Sequence, residues 1–274
     1  MPKKLRIGIV GCGAIGSSLA KAVKKDLAQD AELSALYDID GSKSERLSRL
    51  LSKKRNLAAS SLNSLINKSD LVIEAASAKC SREVARQALS KGRNIMIMSV
   101  GGIVGCYKEL SGLAKKHNAR VYVPSGAISG IDALKAAKTG NIRSVTLTTR
   151  KNPVSFRGVK YVEDKRIRLD KIKKDKVLFS GTAQEAVKYF PQNINVAAIL
   201  SLAGIGPEKT KVRIIASPST TKNIHEIKVD SVAAGILTRT ENILHPDNPK
   251  TSYLAVLSAI ATLKQILEPV EIGT

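Results

Sequence analysis

Histidine is the side chain whose ordinary pKa lies nearest neutrality, which makes it a natural acid–base group for chemistry near pH 7. The chain has three: His117, His225 and His245. His117 falls at a predicted helix end beside Lys115 and Lys116, where the helix dipole accounts for it. His225 lies inside a predicted strand, Asn223-Ile-His-Glu-Ile227. Alternation there puts it on one face with Asn223 and Ile227, opposite Ile224 and Glu226. His245 precedes Pro246 in a predicted loop ahead of the last helix. On pattern alone both His225 and His245 are candidates for proton transfer. A second cluster, Asp247-Asn-Pro-Lys-Thr-Ser252, reads as a helix start, with Asn248 as N-cap and Pro249 at the first helical position. Lys250, Thr251 and Ser252 would then crowd the positive end of a helix, which suits a carboxylate ligand as well as it suits plain capping.

A third constellation is made of glycine. Residues 5–16, Leu-Arg-Ile-Gly-Ile-Val-Gly-Cys-Gly-Ala-Ile-Gly, place a G-x-G-x-x-G turn directly after an apolar strand and directly before a helix. In that context Gly11 permits the tight turn, Gly13 lets backbone approach a pyrophosphate, and Gly16 lets the helix pack closely on the strand. The helix start, with Ala14 and Ile15, offers free N–H groups and a positive dipole end to phosphates. The next apolar run ends in Asp38, an acidic residue at the distance expected for a ribose contact. The expected ligand is therefore a dinucleotide, NAD. Ser42 and Lys43 lie close enough to Asp38 to blunt discrimination against a 2′-phosphate, so NADP is also an expected cofactor. Asn193 and Asn195 flank another predicted helix start, either as caps or as partners of the nicotinamide carboxamide.

The elements that must position these residues fall into two patterns. Through residue 125 strand and helix signals alternate in the doubly wound manner of a Rossmann parallel sheet. Strands are expected at 5–10, 32–38, 70–76, 94–99 and 120–125, with helices at 17–27, 42–54, 81–91 and 107–117. Ligands in such sheets sit beyond the carboxyl ends of the strands. That nominates Ala75-Ala76-Ser77, Ser99-Val100-Gly101 and Ser125-Gly126-Ala127 as lining the nicotinamide end. Beyond residue 130, period-two alternation at 144–149, 211–216, 223–229 and 235–240 predicts a sheet with one covered face, antiparallel or mixed, in an α+β catalytic domain. Helices at 182–189 and 195–203 would cover it. The expected domains are 1–125 for the dinucleotide and 126–248 for substrate and oligomerisation, with a last helix, 249–267, packing back on the first.

Composition sets the outer bounds. With 274 residues, 43% hydrophobic and 25% charged, the chain is of globular type and long enough to bury a proper core. No apolar run is long enough for a membrane span, and the start of the chain, Met1-Pro-Lys-Lys, leaves no room for a signal peptide. Cys12, Cys80 and Cys106 show no C-x-x-C spacing and read as reduced thiols of a cytoplasmic protein without a metal site. The net charge of +22 raises the question of nucleic acid. Against it, there is no Trp, only 3 Phe and 6 Tyr, and no interleaving of aromatic and basic residues. A solvated lysine-rich face, or steering of small anionic ligands, accounts for the charge.

Five stretches together carry a resemblance: the glycine fingerprint, Pro124-Ser-Gly-Ala-Ile-Ser-Gly130, Phe190-Pro-Gln-Asn-Ile-Asn-Val-Ala-Ala198, Asn223-Ile-His-Glu-Ile227 and Asp247-Asn-Pro-Lys-Thr-Ser252. In this order, across nearly the whole chain, they resemble the L-aspartate dehydrogenase family. The resemblance implies NAD(P)-dependent oxidative deamination of L-aspartate to iminoaspartate, which feeds NAD biosynthesis, by a cytoplasmic homodimer. It implies that His225 is the active-site residue and that Ala127 and Asn195 contact NAD. Two departures are His245, where the family usually has a small residue, and the basic stretch 157–176. The alternatives are a related two-domain reductase or dehydrogenase, of the dihydrodipicolinate reductase or homoserine dehydrogenase kind, and a non-catalytic dinucleotide- or nucleic-acid-binding protein.

Overall fold

The computed structural model describes residues 3–190, 195–246 and 248–273, with the side chains of Pro249 and Lys250 outside the description. Two compact units result, Met1–Pro124 with Val256–Glu271, and Ser125–Ala255 with Ile272–Thr274.

In the first unit the order is β1 (Leu5–Val10), α1 (Ala14–Lys25), β2 (Ala31–Tyr37), α2 (Gly41–Leu51), α3 (Leu62–Asn67), β3 (Leu71–Glu74), α4 (Ala78–Ser90), β4 (Asn94–Ile97), α5 (Tyr107–Lys116) and β5 (Val121–Tyr122). The strands pair in the order β2-β1-β3-β4-β5, every pair parallel. A parallel sheet covered on both faces needs continuous apolar strands. Ile7, Ile9, Leu71, Val72, Ile73, Ile95, Met96 and Ile97 are accordingly all inaccessible to solvent. Outside β2 the chain adds a single parallel bridge, Leu36 to Ala58, a sixth sheet position reduced to one residue. Ala259 and Leu263 of the C-terminal helix (Tyr253–Leu267) join the core formed by Ile7, Ile9, Leu19 and Ile73.

The second unit carries α6 (Ile131–Thr139), β6 (Ile142–Lys151), α7 (Lys160–Asp164), β7 (Lys176–Thr182), α8 (Ala183–Tyr189), α9 (Asn195–Ala203), β8 (Lys211–Ala216), β9 (Asn223–Ser231), β10 (Gly235–Asn242), β11 (Leu244–His245) and β12 (Asn248–Ser252). Five strands form one sheet in the order β10-β9-β6-β8-β7. It is mixed: β6 and β8 run parallel, and the other pairs are antiparallel. Alternate residues of β6 (Val145, Leu147, Thr149, Lys151) and of β9 (Asn223, His225, Ile227, Val229) are buried, so one face is covered. A capping box between Thr182 and Glu185 fixes the start of α8. Against it, Phe156, Tyr161, Phe179, Tyr189 and Phe190 form a ring cluster.

Several expected boundaries move. Helix α1 begins at Ala14, immediately after Gly13, three residues earlier than predicted from the position of Gly16. The fifth strand shrinks to Val121–Tyr122, because Pro124 has no N–H to pair and Gly126 turns the chain at φ +69°. Helices α3 and α6 and strand β7 were not legible; β7 sits among lysines and contains Gly181, which hides its period. The largest correction concerns 248–252. These residues are a strand, antiparallel to β11 with His245 opposite Asn248 and Leu244 opposite Ser252, and the last helix starts only at Tyr253. Asn-Pro is a turn signal as well as a cap signal. Here the residue before proline stays extended and the hairpin takes up the backbone that a first helical turn would have used.

Candidate active site

The first unit builds a dinucleotide cradle from backbone. Gly11 has φ +95°, and a side chain there would meet the carbonyl of Ala75 at 2.6 Å. A Cβ on Gly16 would lie 1.8 Å from the carbonyl oxygen of Gly11, so only glycine allows α1 to start so close to β1. Gly13, by contrast, has nothing within 4 Å of its missing Cβ. It is the N-cap of α1, with no side-chain cap and no acidic residue in the first turn. The N–H groups of Ala14, Ile15 and Gly16 therefore stand at an uncapped positive helix end beside open space, which fits a pyrophosphate.

Asp38 is brought to the same loop. Its Oδ2 accepts from Cys12 N at 2.7 Å and its Oδ1 from Asp40 N at 3.0 Å, while Gly11 N donates to Tyr37 O at 2.8 Å. The acid thus hangs the glycine turn on the end of β2, next to where a ribose would follow the pyrophosphate. Asp40, two residues on, accepts from Ser42 and faces Lys43 at 3.7 Å, which holds its carboxyl below the usual range. Cys12 is buried beside Asp38, and both effects push its thiol up to about 12, so it stays protonated and unreactive.

One residue of this region was missed from sequence. Glu74, the last residue of β3, is fully buried, and its carboxylate accepts from Ala76 N (2.8 Å), Ser77 N (3.1 Å), Ser99 N (3.1 Å), Ser99 Oγ (3.1 Å) and Ser81 Oγ (3.0 Å). Burial pushes its pKa up, against these five donors, which hold it down. It ties together the loops after β3 and β4, and with them Ala76 and Ser77, at the carboxyl ends of the strands. The visible signal is an acidic residue inside an apolar run, Leu-Val-Ile-Glu-Ala-Ala.

The second unit builds with side chains. His225 on β9 pairs across with Thr149 of β6 and Thr240 of β10, and it is only 2% exposed. Its Nδ1 lies 3.0 Å from Thr149 Oγ1. Burial, with the charge of Lys151, lowers its pKa to about 3, so the ring is neutral at pH 7. When Nδ1–H donates to Thr149, the lone pair of Nε2 is left as a base. On the next row Asn223 Nδ2 donates to Ser252 Oγ at 3.3 Å, and Asn242 Nδ2 donates to the carbonyls of Ala127 (3.0 Å) and Asn223 (3.2 Å). His225, Asn223, Ser252 and the Ala127 backbone are therefore brought together.

The remaining candidates divide. His245 is buried in the β11–β12 hairpin with its ring edge-on to Tyr253 at 5.4 Å, and His117 ends α5. Thr251 accepts from Asn248 Nδ2 at 3.0 Å. The helix-terminus argument for an anion at Lys250, Thr251 and Ser252 falls, since all three belong to β12; the side chain of Lys250 and the whole of Asn193 lie outside the described residues. Asn195 is the exposed first residue of α9. Among the described residues no three His, Cys, Asp or Glu side chains converge as metal ligands, and no helix is long and apolar enough to cross a membrane.

Comparison with known proteins agrees with this division of labour. Residues 11–124 match the family described as homoserine dehydrogenase, NAD binding domain, and residues 132–266 match aspartate dehydrogenase, C-terminal. The L-aspartate dehydrogenase of Methanosarcina mazei is 50% identical, over 98% of this chain and 100% of its own length. That of Nitrosopumilus maritimus is 40% identical over 98% of this chain and 99% of its own length. The crystal structure of aspartate dehydrogenase from Thermotoga maritima superimposes with a TM-score of 0.73 at 28% identity, covering 99% of this chain and 100% of that one. The chain belongs to the L-aspartate dehydrogenase family.

Proposed function

We propose that this protein oxidatively deaminates L-aspartate with NAD, and with NADP as a second cofactor, giving iminoaspartate that hydrolyses to oxaloacetate and ammonia and feeds NAD biosynthesis. The observation that carries the reading is the 50% identity to an L-aspartate dehydrogenase over the full length of both chains. When bound, the nicotinamide accepts the hydride that leaves the aspartate Cα.

Gly11, Gly13, Ala14, Ile15 and Gly16 hold the pyrophosphate, and Asp38 the adenosine ribose. Ala76 and Ser77, fixed by Glu74, with Ala127 and Asn195, meet the nicotinamide end. His225 takes a proton at Nε2, from the amino group as the imine forms or from the water that attacks it. Its low pKa in the free protein rises when an anionic substrate binds beside it, since opposite charge favours the imidazolium. Ser252, bonded to Asn223, anchors a carboxylate from the β12 strand, and its substitution raises KM for aspartate without changing NAD affinity.

The enzyme works in the cytoplasm, consistent with three unpaired cysteines, and as a homodimer. The outer face of the mixed sheet supports pairing: it carries the ion pairs of Glu226 with Arg150 and Arg239, next to an exposed Leu237. Nicotinamide absorbance tests the reading. Oxidation of NADH with oxaloacetate should require ammonia, and homoserine should not reduce NAD; reduction by homoserine with no response to aspartate would reverse the assignment.

A further inference from the structure

The inward face of β10 is polar where its neighbours are apolar. Ile236, Thr238, Thr240 and Asn242 share that face, while Leu237, Arg239 and Glu241 are exposed on the other. Ile236 and Thr238 pair with Val229 and Ile227 of β9, which in turn face Val145 and Leu147 of β6. The polar side chains of β10 are spent on main chain. Asn242 is 3% exposed, and its Nδ2 donates to the carbonyls of Ala127 at 3.0 Å and Asn223 at 3.2 Å. Thr238 Oγ1 donates to the carbonyl of Ser129 at 3.4 Å, and a Cβ on Gly130 would lie 2.7 Å from the Thr238 methyl. Two carbonyls of the 126–130 segment are therefore held by side chains of one strand.

An independent sign is the other end of the same amide. Asn242 Oδ1 is buried without a hydrogen-bond partner, which costs stability. An asparagine kept despite that cost is kept for its two N–H donors, and both go to backbone. The two backbones it joins matter for chemistry. The segment with Ala127 follows β5, and ligands of an open parallel sheet sit beyond the carboxyl ends of its strands. Asn223 is two residues from His225 on β9, and its own Nδ2 donates to Ser252 Oγ at 3.3 Å. One side chain thus bridges the loop assigned to the cofactor and the strand that carries the base.

Resting on the proposed reaction, we propose that Asn242 is a positioning residue that fixes the 126–130 loop, and with it the nicotinamide end of the dinucleotide, relative to the strand of His225. A peptide unit is planar, so holding the Ala127 carbonyl toward β10 sets the orientation of the whole Ala127–Ile128 unit. Transfer between two bound groups depends steeply on such placement: a shift of about 1 Å can cost about 100-fold in rate. Asn242 acts through Ala127, with Thr238 as a second, weaker tether on Ser129.

The test uses the full-length protein and its Asn242→Asp variant, which keeps the size of the side chain and removes both donors. Calorimetry reads Kd for NADH and for ADP-ribose, which has the same pyrophosphate and lacks the nicotinamide. Any effect of the new charge on the pyrophosphate is common to both ligands and cancels in their ratio. Asn242→Asp should weaken NADH about tenfold and leave ADP-ribose nearly unchanged. With L-aspartate at saturating cofactor, kcat should fall about 100-fold while KM moves less than about threefold. Equal changes in the two affinities, or a folded variant with kcat within about threefold of wild type, would overturn the proposal, as a purely structural role would give either. If Asn242→Asp does not fold, Thr238→Val removes the second tether at constant volume. It should weaken NADH at least about threefold more than ADP-ribose, and equal changes there would overturn the proposal too. If the wild type leaves aspartate unoxidised, the proposed reaction fails by itself, and a loss confined to NADH still upholds the role of Asn242.

Discussion

The two units solve the problem of holding a ligand in opposite ways. The first does it with main chain: a left-handed glycine, an uncapped helix end and a buried carboxylate that ties loop N–H groups together. The second presents side chains on alternate positions of three neighbouring strands, Thr149, then Asn223 and His225, then Thr240 and Asn242, as the proposed means of holding its ligand. A backbone site tolerates almost no change of residue at a few glycines. A strand-face site tolerates change anywhere except at the residues that reach the ligand. Substitutions in the two units should therefore fail differently, the first through fold and cofactor, the second through turnover and substrate.

The largest expected effect belongs to the second unit. His225→Ala should lower kcat by about 100- to 10,000-fold and leave NADH affinity nearly unchanged, as steady-state kinetics and cofactor titration of the folded variant would read. Full turnover in that variant, with loss in His245→Ala instead, would transfer the role to the hairpin histidine.

Next come two glycines of one motif with contrary outcomes. Gly16→Ala puts a methyl 1.8 Å from the Gly11 carbonyl and should cost about 1–3 kcal/mol of stability. Gly13→Ala meets nothing within 4 Å at φ −74°, so denaturant unfolding should be unchanged while Kd for NADH rises about tenfold. Equal destabilisation by both would mean that the loop is only a tight turn.

Glu74 sharpens the comparison through pH. Because burial raises its pKa in the folded protein, the stability it contributes is complete below the unfolded carboxylate range and is lost as pH rises toward its folded pKa. Against a Glu74→Gln variant, the wild type should be more stable near pH 4 and should lose part of that advantage by pH 8. A gap between the two unfolding curves that is independent of pH would show that Glu74 titrates as it does in the unfolded chain. The smallest effect is on cofactor choice. Asp38→Ser should shift the kcat/KM ratio toward NADP by about tenfold, partly offset by loss of the bond that Asp38 accepts from Cys12.

What could be read from the sequence follows the same divide. Gly11, Gly13, Gly16 and Asp38 were legible because a backbone site leaves fixed spacings, and the structure places all four at one loop. The core strands of the parallel sheet were legible as unbroken apolar runs. Four strands of the mixed sheet were legible through period two, but β7 was not, and neither was the order, since register and the parallel β6–β8 pair depend on contacts far apart in sequence. Asn242 went unseen for that reason: it becomes informative only when β9 and β10 are laid side by side. The 248–252 segment misled because Asn-Pro-Lys-Thr-Ser satisfies capping rules locally, while pairing with Leu244–His245 decides it.

In the proposed reaction a hydride passes from the Cα of L-aspartate to the dinucleotide. Incubation with L-aspartate deuterated at Cα, followed by mass spectrometry of the reduced cofactor, reads this directly. Reduced NAD should be one mass unit heavier than that formed from unlabelled aspartate, in step with release of oxaloacetate and ammonia. Reduced cofactor without the label, or no reduction by aspartate while another substrate reduces it, would rule out hydride transfer from aspartate.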